Sequence, residues 1–271
     1  MNVTVVIPIH EYNDKISILF DKAIESVLKQ ENLSKQPKII IVSASECGDV
    51  VLNHLKNKEN LEYEFIRNEG KTDYQSQINL AVEHVNTNYF SVLEFDDEYG
   101  ITYFNNVNKY IECYPEIDIF LTMMIEVNEQ NDGIKLTNET VWAQQFVGEN
   151  GEMGYLNSNS LKQYSDFKLS GAIIKKSEFK NIGGYKSNIK LTFMYELLLR
   201  ALNNSCKIFS IPKIGYKHVA SRENSLFNLY QKNMSIDERK FWFETAVKES
   251  NFIGDRTIDT TRLQKIVISE K

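Results

Sequence analysis

The chain has 271 residues, 42% of them hydrophobic and 25% charged, with a formal net charge of −6. Such a composition is that of an ordinary folded protein, and the length suits one large α/β domain with or without a helical appendage. No apolar run is long enough to span a bilayer, and the opening Met1-Asn2-Val3 has no basic leader. Cys47, Cys113 and Cys206 lie far apart without metal-ligand spacing, so reduced thiols and a cytoplasmic location are expected rather than a disulfide framework or a zinc site.

In chain order, Val3 to Ile9 reads as a buried strand. Apolar positions from Ile16 to Leu28 recur at helical spacing. Lys38 to Ser43 predicts a second buried strand, Val50 to Lys56 a short helix, Tyr63 to Ile66 a third strand and Tyr74 to Val85 a third helix. Phe90 to Phe95 predicts a fourth strand. Strands alternating with helices argue for a parallel, doubly wound sheet whose right-handed crossovers put all four strand ends on one edge.

The fourth strand runs into Glu94, Asp96, Asp97 and Glu98, four carboxylates within five positions. Gathering that charge is unfavourable unless a cation or water neutralises it. Hard divalent ions such as Mg²⁺ and Mn²⁺ take carboxylates together with substrate phosphates, and ligands of open α/β sheets bind beyond the carboxyl ends of the strands. The cluster is therefore a candidate metal–diphosphate site. A solvated acidic turn has the same appearance. If the strand alternation continues, Glu94 and Asp96 point to one side and Phe95 to the other.

Beyond residue 100 the pattern changes. Tyr103 to Tyr114 predicts a helix, Ile117 to Val127 an extended segment and Gln130 to Gly133 a turn. The glycine-rich, polar stretch 144–160 reads as a mobile loop. Ser170 to Ile174 predicts a strand, Ser177 to Lys180 a short helix ended by Gly183-Gly184, and Leu191 to Leu202 an apolar helix. Ile208 to Ile211 and Gly215 to Val219 predict two short strands, and Phe241 to Lys248 a helix. The last twenty or so residues read as a polar tail. Charge is uneven: 11 basic and 26 acidic residues over 1–161, 12 and 3 over 162–222, and 8 and 8 over 223–271. An acidic half followed by a basic stretch suits an anionic ligand held between them, and equally suits lysines spread over a solvated surface.

Several segments, in order, resemble the inverting glycosyltransferases of family 2. They are Val3 to His10, Ala23 to Gln30, Gly70 to Val82, Glu94-Phe95-Asp96-Asp97 at the place of the D-x-D motif, Ser170 to Phe179, Ile182-Gly183-Gly184-Tyr185, and Tyr195 to Arg200. The resemblance covers about 1–225. It implies a GT-A nucleotide-diphospho-sugar transferase fold, a Rossmann-like, mostly parallel sheet flanked by helices. Residues 1–100 would form the nucleotide-sugar-binding half, 101–225 the acceptor half, and 226–271 a C-terminal helical extension and tail. It also implies Mn²⁺- or Mg²⁺-dependent transfer of a hexosyl or pentosyl group from a nucleotide-diphosphate sugar to an acceptor hydroxyl, with inversion.

On that resemblance Asp96, Glu94 and His218 are the expected metal ligands. Pro8, His10, Glu11, Ser43, Ser45, Asn79, Glu94, Phe95 and Arg222 are expected around the donor. Asp97, Glu178 and Glu196 are the candidate catalytic carboxylates. The chain departs from the family in two places. After the second strand, where an aspartate reads the base, it has Ser43 and Ser45, so the donor base is open. Where the family has a Glu-Asp pair holding the general base, it has Phe193-Met194, and neither accepts a proton. The base then comes from Asp166, Glu178, Glu149 or Glu152, or the helix has another register, or catalysis is lost. A non-catalytic sugar-nucleotide or glycan-binding module and a nucleotidyltransferase are the alternatives, and no P-loop supports an NTPase. The acceptor is a glycan, a protein or an anionic polymer, with nucleic acid a minority expectation.

Overall fold

The computed structural model describes residues 2–58, 61–139, 154–163, 165–220, 222 and 225–269. Seven consecutive buried residues, Val3–Ile9, form β1, and α1 (Asp14–Leu28) follows. Asn13 caps α1, its side chain accepting from the amides of Lys15 and Ile16. Then come β2 (Lys38–Ala44), α2 (Ser45–Lys56), β3 (Glu64–Asn68), α3 (Tyr74–His84), β4 (Tyr89–Val92) and β5 (Glu98–Tyr99). The second half holds α4 (Tyr103–Cys113), β6 (Ile119–Val127), β7 (Gly133–Thr137), α5 (Ser158–Gln163), β8 (Ile173–Lys175), α6 (Lys176–Asn181), α7 (Phe193–Asn203) and β9 (Ile208–Val219). It is followed by α8 (Leu226–Asn233), α9 (Ile236–Glu249) and α10 (Thr261–Ser269).

All nine strands join one sheet in the order β3-β2-β1-β4-β8-β6-β9-β5, with β7 paired to β6. β1, β2, β3 and β4 are mutually parallel, as the alternating pattern predicts. β8 then enters antiparallel between β4 and β6, while β6 and β9 run parallel. The sheet is mixed but mostly parallel, and helices cover both faces. On one face Phe20, Ile24 and Val27 of α1 pack with Phe104 and Val107 of α4 over β1 and β6. On the other, Ile78 and Val82 of α3 pack with Leu197 and Leu198 of α7 and Trp242 of α9. Residues of α9 thus share a core with α7 and α3.

Several elements differ from expectation for identifiable reasons. The fourth strand stops at Val92 rather than Phe95: Leu93 still donates to Val6, but the partner on the other side turns away at Ser170-Gly171. The pleat argument that put Glu94 and Asp96 on one side therefore does not apply. α2 begins at Ser45, not Val50, so Ser45 lies in a first helical turn. Ile208–Val219 is one strand. Pro212, which lacks a ladder donor, sits where the register with β6 shifts, and Thr122 Oγ1 donates to the Lys213 carbonyl there. Strands β5 and β7 and helix α5 lie where no element was predicted, α8 falls within the expected helical extension, and the polar tail contains α10, which packs on α9. Most of the 144–160 loop, with Glu149 and Glu152, lies outside the described residues. Among the described residues no helix is long and apolar enough to cross a membrane.

Candidate active site

The sheet order reverses between β1 and β4, and in an open α/β sheet the crevice at such a reversal is where ligands bind. The chain leaving β4 turns sharply there, with the Asp97 amide donating to the Glu94 carbonyl. One oxygen from each of Glu94, Asp96 and Asp97 lies within 4.8 Å of the others. The fourth carboxylate, Glu98, belongs to β5 and pairs with Lys217 Nζ at 2.5 Å. The cluster is thus three carboxylates.

Each of the three has a different partner. Glu94 Oε1 accepts from Ser170 Oγ at 2.5 Å, and the Glu94 amide donates to the Tyr216 hydroxyl. Asp96 Oδ2 accepts from Arg222 Nε at 2.7 Å. Asp97 is fully buried and has both oxygens engaged: His218 Nδ1 lies 2.9 Å from Oδ2, and the Val219 amide donates to Oδ1 at 2.9 Å. Arg222 also reaches Glu11 Oε1 at 3.1 Å and lies over the Phe95 ring. His10 packs against the other side of this group, its ring 5.5 Å from that of Phe95.

The electrostatics follow from burial. Loss of solvent, then the Asp97 charge, push Glu94 up to about 7. The same causes raise Asp96 to about 6, partly offset by Arg222. Burial alone would lower the His218 imidazole, but Asp97 and Glu94 outweigh it and raise it to about 9. Burial, and after it repulsion from Asp97, hold both carboxyls above their ordinary range, and a bound cation would relieve this. An all-oxygen set of this kind suits a hard divalent ion. Asp97 takes the Nδ1 side of His218, and a carboxylate behind an imidazole orients the other ring nitrogen toward a metal in many proteins.

The structure brings Glu11, Phe95, Asp96, Asp97, His218, Arg222 and Glu94 together. His10 joins them through Phe95 and Glu11; the other expected donor residues lie elsewhere. Ser43 is fully buried and hydrogen-bonds to the Ala44 carbonyl and Cys47 Sγ. Ser45 faces Glu46 in the first turn of α2. Pro8 is buried in β1, paired with Val42. Asn79 uses its amide on the Tyr185 backbone, accepting from the N–H at 2.8 Å and donating to the carbonyl at 2.7 Å, so it ties α3 to the Gly183-Gly184 turn.

Two catalytic candidates are displaced. Glu178 sits on α6 at the other end of the strands: β8 is antiparallel to β4, so Lys175 pairs with Tyr89 at the start of β4. Glu196 is fully buried and pairs with Arg200 through both oxygens, at 2.8 and 2.9 Å, with Lys186 Nζ 3.1 Å from Oε1. Arg200 donates onward to the carbonyls of Ile182 and Gly184. Glu196 is a structural anchor with no oxygen left for an acceptor proton. Asp166 pairs with Lys135. Phe193 and Met194 are buried among apolar side chains, so no other helix register brings a carboxylate forward.

Three contributors went unrecognised in the sequence. Ser170 and Tyr216 support Glu94, and the Tyr74 hydroxyl, without a hydrogen-bond partner among the described residues, is pushed up by burial and then by the Glu94 charge. Only the pairing of β8 with β4 and of β9 with β5 brings Ser170 and Tyr216 to the cluster. Gly171 makes this close approach possible. Its φ is +66°, and a Cβ there would fall within the Tyr216 ring. Gly171→Ala is expected to cost about 1–3 kcal/mol through overpacking and to loosen Tyr216 from the Glu94 amide. Thermal denaturation would show this, and an unchanged midpoint would contradict it.

A cleft of about 770 Å³ opens beside the cluster. Lys15, Leu19 and Lys22 of α1 form one wall, the β6–β7 turn faces them, and Asp96 and Arg222 close the inner end. The open space therefore lies on the α1 side of Asp96, away from Ser43 and Asn79.

No protein-family model matches the chain, and no curated protein matches it in sequence. Solved structures do match in fold. Residues 1–349 of TarS from S. aureus, in complex with UDP-GlcNAc, superpose with a TM-score of 0.64 at 14% identity, over 87% of this chain and 62% of that one. The same TarS segment in a second structure gives 0.63 at 13% identity, over 92% and 81%. The mannosyltransferase PcManGT from Pyrobaculum calidifontis, in complex with GDP-Man and Mn²⁺, gives 0.57 at 10% identity, over 99% and 80%. The fold is thus one found in glycosyltransferases, a mixed α/β sheet flanked by helices.

Proposed function

We infer that the chain is a metal-dependent glycosyltransferase that takes a sugar from a nucleoside-diphosphate donor. The observation that carries this is the convergence of Glu94, Asp96 and Asp97 at the β1/β4 reversal, with His218 paired to Asp97 and Arg222 to Asp96, an arrangement of opposite charges suited to a cation and a diphosphate. Neighbours of the same fold bind UDP-GlcNAc or GDP-Man, one of them with Mn²⁺, which supports the donor class. Asp96 and Glu94 would hold the ion, Mn²⁺ or Mg²⁺, with His218 joining through its second ring nitrogen where the ion displaces the proton. Bound there, the ion would neutralise charge developing on the leaving diphosphate. Arg222 suits the phosphate oxygens, because its planar guanidinium donates in parallel. Glu11 and Phe95 position that guanidinium. The cleft along α1 gives substrates access. Inversion and the acceptor class remain part of the proposal on the same footing.

Asp97 acts through His218 rather than on substrate. Asp97→Asn keeps the shape but loses the charge that orients the imidazole, so Mn²⁺ affinity should fall roughly 10- to 100-fold, read by calorimetry. Unchanged affinity would remove His218 from the ligand set.

A second reading, a binding module without transfer, is favoured by one observation: the start of α7 offers Phe193 and Met194, and Glu196 is locked to Arg200. Calorimetry of a nucleoside-diphosphate and nucleotide-sugar panel, with and without Mn²⁺, tests the donor class. Release of free nucleoside diphosphate from the bound donor then separates transferase from module, and release of pyrophosphate would indicate nucleotidyl transfer instead.

A further inference from the structure

Arg222 occupies an unusual electrostatic position. Its guanidinium bridges Asp96 and Glu11, at 2.7 and 3.1 Å, and its side chain is only 15% exposed. The Phe95 ring lies beneath it, and Asn228 of α8 holds its backbone carbonyl at 2.7 Å. Asp96 is itself buried. Any divalent ion using Asp96 must displace this guanidinium or share one carboxylate with it. Sharing sets two cations side by side in a poorly solvated site, where their repulsion is strong.

We propose that Arg222 is a built-in competitor for the cation, holding Asp96 until a diphosphate draws the guanidinium away, so that ion and nucleotide bind together and the ion alone binds weakly. The inference rests on the metal–diphosphate reading given above. A diphosphate resolves the conflict because its oxygens accept from Arg222 and coordinate the ion at once. The coupling is reciprocal: whatever factor the nucleotide adds to metal affinity, the metal adds to nucleotide affinity. The ligand of this site is then the metal–diphosphate complex rather than either component.

The test is calorimetric titration of Mn²⁺ into the full chain, alone and with saturating UDP or GDP, for the wild type, Arg222→Met and the milder Arg222→Lys. In the wild type the nucleotide should tighten Mn²⁺ binding about tenfold or more. Arg222→Met should bind Mn²⁺ alone severalfold tighter than the wild type and gain less from nucleotide than the wild type does. Arg222→Lys, which keeps the charge but cannot span both carboxylates, should fall between. Equal or weaker Mn²⁺ binding by a folded Arg222→Met overturns the competition while leaving the donor reading intact. Absence of nucleotide binding in every arm of the wild type overturns the donor reading and the coupling with it. Tighter Mn²⁺ binding by Arg222→Met in that case would preserve the competition for the ion alone.

Discussion

Asp96→Asn should remove Mn²⁺-dependent nucleotide binding and lower turnover by roughly three orders of magnitude. Lewis-acid stabilisation of a leaving phosphate is worth several kcal/mol, and about 1.4 kcal/mol is tenfold in rate. The substitution replaces the carboxylate of the acid cluster that both faces the cleft and holds Arg222. An amide is a weaker ligand for a hard cation, and it leaves Arg222 with only the Glu11 charge to pair with. The fold should persist, because Asp96 sits in a turn outside both apolar clusters and loses mutual repulsion with Asp97 and Glu94. Calorimetry with a melting curve on the same sample separates the two effects. Undiminished Mn²⁺-dependent nucleotide affinity would dismiss the metal site.

The second large effect is on stability. Glu196, Arg200 and Lys186 form a fully buried ion-pair network that also fixes two chain reversals. Arg200 holds the carbonyls of Ile182 and Gly184, and Lys186 holds those of Glu249 and Phe252 at the end of α9. Glu196→Gln leaves two buried cations without a counter-charge. Removing one partner of such a pair costs about 3–5 kcal/mol, which for a chain of this size lowers the melting midpoint by roughly 10 °C. The loss is expected in the stability of α7 and α9 together, since the network joins them. A variant with the wild-type midpoint but no turnover would return Glu196 to the catalytic list.

Much of the N-terminal half was legible in the sequence. Val3–Ile9 and Lys38–Ala44 are buried on both faces, and such strands are written as continuous apolar runs. Local periodicity also marked α1, α3 and α7. The acid cluster was legible too, because four carboxylates in five positions after an apolar strand need no tertiary knowledge to stand out. Glu11, His218 and Arg222 entered through the family resemblance, and the structure sets all three beside the cluster.

What each carboxylate does was not legible. Glu94, Asp96 and Asp97 look equivalent in the chain, yet one receives Ser170, one Arg222 and one His218, from segments 76, 126 and 121 residues away. Glu178 appeared as available as Asp96 until the antiparallel entry of β8 put it at the far edge of the sheet. Glu196 and Arg200 stand four positions apart, a spacing that allows an ion pair on a helix, but only packing shows that both are dry and that Lys186 joins them. Strand pattern and clustered charge are local properties, set by side-chain periodicity and solvation, so the sequence by itself determined the parallel core and the location of the charge. Partner choice depends on which distant segments the sheet order brings to the β1/β4 reversal, and on which side chains lose their water there. Contacts between residues so far apart in the chain, together with burial, are decided only when the whole sheet has closed, so the tertiary structure alone sorted anchors from ligands.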